Sequence, residues 1–216
     1  GSLGAGEVLG RPAMKFSKTR PVKVVQLGAG GTGGHIASHL YRLLYALERP
    51  VRYIICDGDV VEEKNPVRQN FTPADLGENK ARVLAERYST VFGMETEYIP
   101  DFIEDEDRLK KLLIPKRWYV STRNAKDITE MIILLGAVDN NKSRQLCHRV
   151  FSQAKELIYI DSGNGEYTGQ VICGVRRGGK TYFPPSARST RMCWRRRTSF
   201  PRSCPALRRR YQPLRA

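Results

Sequence analysis

The β-branched run Val22-Lys23-Val24-Val25-Gln26-Leu27 ends in Gly28-Ala29-Gly30-Gly31-Thr32-Gly33-Gly34, and this junction constrains the fold more than any other stretch of the chain. Beyond it, Ile36, Leu40, Leu43, Leu44 and Leu47 recur at helical spacing. A short apolar run, a cluster of glycines and a 3.6-residue period together read as strand, tight turn and helix. The glycines have separate tasks: one permits the sharp turn, and the others let backbone approach a phosphate and let the helix pack closely on a sheet. The helix N-terminus then offers free N–H groups to an anion. Glycine turns of this kind also occur without a ligand, so the turn defines a fold before it defines a function.

The residues downstream narrow the function. A second apolar run, Tyr53-Ile54-Ile55-Cys56, stops at Asp57, where a doubly wound sheet places an acid against a ribose hydroxyl. Asp59, Asn65, Arg68, Gln69 and Lys80 follow within one long connection and the helix predicted from Glu78 to Val91. A hydride carrier needs little beyond the turn and Asp57. A triphosphate attacked at its α-phosphorus needs charge neutralised on several oxygens at once, which a cluster of cations and amides supplies. Met131 to Val138 is a buried strand ending at Asp139, so two strands present acids at their carboxyl ends, where open parallel sheets bind ligands. The bland readings are that Arg68 and Lys80 are solvated surface charges and that Asp139-Asn140 caps the helix predicted from Asn141. The expected fold is α/β, a Rossmann-like doubly wound and mainly parallel sheet with helices on both faces.

These motifs, in this order, resemble the ThiF/MoeB/HesA family and the adenylation domains of ubiquitin-activating enzymes. The resemblance rests on Gly28 to Gly33, on Asp57 to Gln69, on Lys80, and on Val138-Asp139-Asn140 with Arg144, and it covers roughly Lys23 to Val175. It implies that Gly28, Gly30, Gly31 and Gly33 form the nucleotide turn and that Asp57 holds the ribose. Asn65, Arg68 and Gln69 would line the phosphate channel, Lys80 would bind phosphates, Asp139 would hold magnesium, and Asp59 would orient the loop. Arg68, Lys80 and Asp139 are thus the expected catalytic residues, with ATP and Mg2+ as cofactors. The implied reaction is adenylation of the C-terminal carboxylate of a ubiquitin-like or sulfur-carrier protein ending in Gly-Gly, by a homodimer. One departure is visible. Family members often carry an arginine-bearing segment ahead of the first strand, and here only Arg11 and Arg20 stand there.

Composition bears mainly on the termini. The chain of 216 residues suffices for one α/β domain, expected over residues 21–185 after a flexible segment at 1–20. Gly1-Ser2 resembles a cloning scar, and Met14 is the expected native start. From Arg176 to Ala216 there are 13 lysines and arginines and no acid, which is +13 of the formal +15. The remaining 24 basic and 22 acidic residues nearly cancel, so an inference from pI to nucleic acid rests on the tail alone. Residues 186–216 read as an irregular basic tail, whose Arg, Pro, Ser and Cys richness fits translation outside the native frame. A nucleic-acid arm with Trp194 among Arg195, Arg196 and Arg197, or a solvated tail, are the other readings.

Five scattered cysteines without a Cys-x-x-Cys pair suggest reduced thiols in the cytoplasm, and Cys173, inside an apolar run, reads as a small core residue. No apolar run is long enough for a membrane span. Gly174 to Thr181 matches the phosphate-loop string, but Tyr182-Phe183-Pro184-Pro185 forbids the helix that string requires, so a hairpin is expected. Two further functions stay open: a nucleotide-binding regulatory relative without turnover, and an NAD-dependent oxidoreductase.

Overall fold

The computed structural model describes residues 17–120, 126–164 and 169–185. The expected flexible segment therefore lies outside the described residues up to position 16. So do Arg11, Trp194 and the whole basic tail from 186.

β1 (Val22–Leu27) is buried along its whole length and is an interior strand, third from one edge of a seven-stranded sheet. On one side it pairs in parallel with β2 (Val51–Cys56), which pairs with β3 (Glu97–Ile99). On the other side it pairs in parallel with β6 (Met131–Gly136), which pairs with β7 (Leu157–Asn164). The antiparallel strands β8 (Gly169–Arg177) and β9 (Lys180–Phe183) finish that edge, giving the order β3-β2-β1-β6-β7-β8-β9. The chain winds outward from β1 and then returns to its far side. The strand order therefore reverses between β1 and β6, and a crevice opens there at the strands' carboxyl ends.

Helices cover both faces. α1 (Gly31–Tyr45) and α3 (Lys80–Phe92) place Ala37, Tyr41, Leu84 and Ala85 against Val24, Tyr53 and Ile55. α4 (Glu106–Leu112) and α5 (Asn141–Gln153) bring Leu109, Leu146, Val150 and Phe151 onto Val25, Ile54 and Leu134. A one-turn helix, α2 (Asn65–Arg68), and a 3-10 turn at Pro73–Asp75 order the long connection after β2. Leu84 is fully buried; Leu84→Ala would cost about 2–5 kcal/mol.

Four details differ from, or refine, the sequence reading. The stretch from Pro115 to Glu130, polar and without regular period in sequence, forms an antiparallel pair, β4 (Arg117–Val120) with β5 (Lys126–Thr129). Helix α4 begins at Glu106, where the Asp105 side chain caps it by accepting from Arg108 N at 2.8 Å. Cys173 is exposed, not a core residue, because β8 lies beyond the reach of α1 and α3 on that face of the sheet. The phosphate-loop string is a β8–β9 hairpin: Gly178 and Gly179 have φ of 58° and 75°, and Lys180-Thr181 begins a strand.

Arg20 is absorbed into the fold. Its guanidinium pairs with Glu156 at 2.6 and 3.0 Å and donates to the carbonyl oxygens of Thr129 and Glu130. It fastens the amino ends of β1, β6 and β7 and the last residue of β5 together, away from the crevice.

Candidate active site

The turn between β1 and α1 is built so that only glycine fits at its critical points. Gly28 has φ of 99°, and a Cβ there would collide with the Ala137 carbonyl; one on Gly33 would collide with the carbonyl of Gly28. Buried Gln26 braces the same turn, donating from Nε2 to the carbonyls of Gly28 (2.8 Å) and Gly33 (3.0 Å), and Tyr53 OH donates to its Oε1. Gly30 is the N-cap of α1, and no side chain caps that helix. By contrast α3, α4 and α5 are capped by Asn79, Asp105 and Asn140. No side chain among the described residues therefore covers the N-terminus of α1, the end of a helix that attracts anions.

Asp57, at the end of β2, is tied down by two backbone amides: Oδ2 accepts from Ala29 N at 2.6 Å and Oδ1 from Asp59 N at 2.8 Å. Burial pushes its carboxyl above the usual range, and the two amides partly oppose that shift. Asn79 donates to the carbonyls of Asp57 and Asp59 at 2.8 and 3.1 Å while capping α3. This places Lys80 as the first residue of α3, with its side chain 7% exposed and Nζ 3.4 Å from Asp59. Asp59 thus pairs with Lys80 across the loop.

Arg68 closes α2, is exposed, and makes no hydrogen bond or ion pair with the described residues. Next to it, Gln69 keeps its Oε1 buried without a partner among the described residues. Asn65 does not line the crevice: it is 4% exposed, and its Oδ1 accepts from Glu62 N at 2.7 Å, folding the loop beneath α2. Gly33 also lies outside the lining, as a packing glycine.

One cavity of about 750 Å³ gathers the rest, bringing Gly28, Gly30 and Gly31 together with Asp57, Asp59, Arg68, Gln69, Lys80 and Asp139. Asp139 is exposed and precedes Asn140, whose Oδ1 accepts from Ser143 N at 2.8 Å. Cap and acid are therefore two different residues, so Asp139 is free for another task. The cavity has an apolar wall as well, made by Leu27, Phe102, Ile103 and Val138. Phe102 lies over Gly58, where a Cβ would come within 2.6 Å of its ring. Sequence reasoning passed over Phe102, although its position just beyond the carboxyl end of β3 marks it as a candidate. His35 and Ser162 also line the cavity unforeseen.

The donor set fits a magnesium nucleotide. Mg2+ is typically bound through one or two carboxylates plus substrate phosphates, not by an all-protein cage. Asp139 offers such a carboxylate, and the described residues hold no cluster of three or more metal-ligating side chains. The α1 N-terminus without a side-chain cap, and Gln69 Oε1 without a hydrogen bond among the described residues, suit the nucleotide's phosphates and hydroxyls.

A glycine turn, a strand-end acid and facing cations at a switch point define a nucleotide-binding α/β domain. More narrowly, the chain belongs to the ThiF family, whose model matches residues 9–202. Solved structures with similar folds include PaaA, at 22% identity over 72% of this chain and 40% of PaaA, with a TM-score of 0.47. MccB of E. coli aligns at 24% identity over 74% of this chain and 39% of MccB, also with a TM-score of 0.47. MccB with ATP aligns at 24% identity over 66% of this chain and 36% of that one, with a TM-score of 0.43. The chain thus spans about two fifths of the length of these structures or less. No curated protein matches it significantly.

Proposed function

We propose that this chain carries the nucleotide site of an ATP-dependent adenylyltransferase that activates a carboxylate. The observation that supports the reading best is the shared cavity, in which Arg68, Lys80 and the uncapped α1 meet Asp139 across one space. The base would lie against Phe102, Ile103 and Val138, with the ribose beside Asp57. Asp57 keeps acceptor capacity after its two amide bonds, because each carboxylate oxygen has a second lone pair.

Arg68 and Lys80 then face the phosphates, and Gln69 and the first amides of α1 hold their oxygens. Asp139 would hold Mg2+, which supplies charge neutralisation on the triphosphate. The acceptor carboxylate oxygen forms a bond to the α-phosphorus as the bond to the bridging β-oxygen breaks. An acyl adenylate forms and pyrophosphate leaves. A carboxylate is already ionised near neutral pH, so no general base is required. The protein contributes alignment and fixed positive charge, which are effective in a recessed site.

The acceptor in this reading is the C-terminal Gly-Gly of a ubiquitin-like or sulfur-carrier protein, and the working unit is a homodimer. Mixing the protein with Mg-ATP and small proteins ending in Gly-Gly tests the assignment. Intact mass spectrometry is expected to show one member carrying an added AMP. Addition to none of them, with ATP left intact, would argue against this acceptor class.

A further inference from the structure

One buried charged pair, whose Arg144 lines the cavity, has no part in the chemistry above. Arg144, on the first turn of α5, has a side chain 13% exposed and lies 3.6 Å from the Asp161 carboxylate, which is 7% exposed. That separation is long for an ion pair, and both Arg144 Nε and Asp161 Oδ1 lack hydrogen-bond partners among the described residues. The short contacts of the guanidinium are to backbone: Nη2 donates to the Val138 carbonyl at 2.9 Å and to the Ser162 carbonyl at 3.3 Å. Ser162 Oγ in turn donates to the Gly136 carbonyl at 3.1 Å.

Two glycines make room for this arrangement. A Cβ on Gly136 would lie 2.7 Å from Asp161 Oδ1, and one on Gly163 would lie 3.0 Å from Arg144 Nη2. A buried ion pair is often no more stabilising than apolar residues of the same volume, so stability alone is a poor reason for it. What the pair does geometrically is fix the peptide that leads into Asp139 to the end of β7.

We propose that Arg144, balanced by Asp161, is a positioning residue that holds the Val138–Asp139 peptide so that Asp139 meets a divalent cation bound with the nucleotide. The inference rests on the nucleotide reading above. Arg144 touches neither nucleotide nor metal in it and acts through the backbone of Val138. Groups that orient a metal-ligating carboxylate typically change metal affinity about 10- to 100-fold when removed.

The test is equilibrium binding of ATP by calorimetry, with and without Mn2+ as a spectroscopic stand-in for magnesium, and with bound Mn2+ counted by electron paramagnetic resonance. Arg144→Ala is expected to raise the Mn2+ concentration at half-saturation about ten-fold, with metal-free ATP affinity changed less than about two-fold. Arg144→Lys, which can still reach one carbonyl, should recover part of the loss. Should Arg144→Ala fold poorly, Gly163→Ala displaces the guanidinium without removing its charge, and the same selective loss of Mn2+ is expected. Equal loss of metal-dependent and metal-free binding would overturn the proposal in favour of direct nucleotide contact. Unchanged Mn2+ affinity in a variant that merely melts earlier would overturn it in favour of a structural role. A wild-type chain that binds ATP with no metal dependence would instead contradict the role given to Asp139, and the clamp would fall with it.

Discussion

The two ends of the sheet use the same kinds of residue in opposite ways. At the amino ends the charges are matched within the fold. Glu130, 1% exposed, accepts from Lys116 N at 2.8 Å and lies 3.7 Å from Arg52, which also pairs with Glu97 at 2.7 Å. Lys23 Nζ donates to the Ile114 carbonyl, and Arg20 pairs with Glu156. At the carboxyl ends Arg68 and Asp139 have no partner among the described residues, Gln69 Oε1 is unsatisfied, and α1 lacks a side-chain cap. Matched charges tie strands together, whereas unmatched ones at a switch point are available for a ligand. One end is therefore read as a fastening and the other as a site.

Changes at the two ends should separate function from stability. Lys80→Ala or Arg68→Ala should lower ATP–pyrophosphate exchange about a hundred- to a thousand-fold. For exposed Arg68 the denaturation midpoint should hardly move. Glu130→Ala should do the reverse, costing about 3 kcal/mol in urea unfolding because it strands buried donors, with ATP affinity of the folded fraction unchanged. A loss of ATP affinity in Glu130→Ala, measured well below its melting temperature, would break the contrast.

Gly30→Asp sharpens it. The nearest side-chain atom to a Cβ there is Gln69 Nε2 at 3.9 Å, so the new residue fits and can cap α1. Thermal stability should hold or rise, while ATP affinity falls about ten-fold as a carboxylate replaces the phosphate at the amides.

The smallest effect concerns pH. The hydrogen bond from Arg20 holds the Glu156 carboxyl below its ordinary value of 4.5, more than burial raises it. Its contribution is therefore present above the unfolded value and is lost as pH falls through the lower, folded one. Because both side chains reach water, the amount is under about 1 kcal/mol. Glu156→Gln should flatten the acid limb of the unfolding curve and leave nucleotide binding near neutral pH untouched.

The carboxyl end was the more legible of the two in sequence. The glycine turn, Asp57, Lys80 at a helix start and the strand running up to Asp139 are local signals, in which residue type and spacing are read within one strand–turn–helix. Asn65 misled because a side chain that folds a loop from beneath has the same local sequence as one that lines a channel. The β4–β5 pair was hidden because Trp118 and Ile128, which face each other across it, lie on two short strands with no period of their own, and what organises it, Trp118 Nε1 reaching Glu130, crosses between elements. The same holds for the Arg20 fastening and for Arg144 with Asp161. Both join residues far apart in the chain, and no periodicity records them.

The central claim is that the open charges at the carboxyl end serve adenylation, and ATP–pyrophosphate exchange reads that most directly. Exchange that needs Mg2+ and one carboxylate-bearing small protein, and is abolished by Arg68→Ala and by Asp139→Ala, is the predicted result. Tight ATP binding with no exchange for any acceptor, or NAD bound in place of ATP, would contradict it.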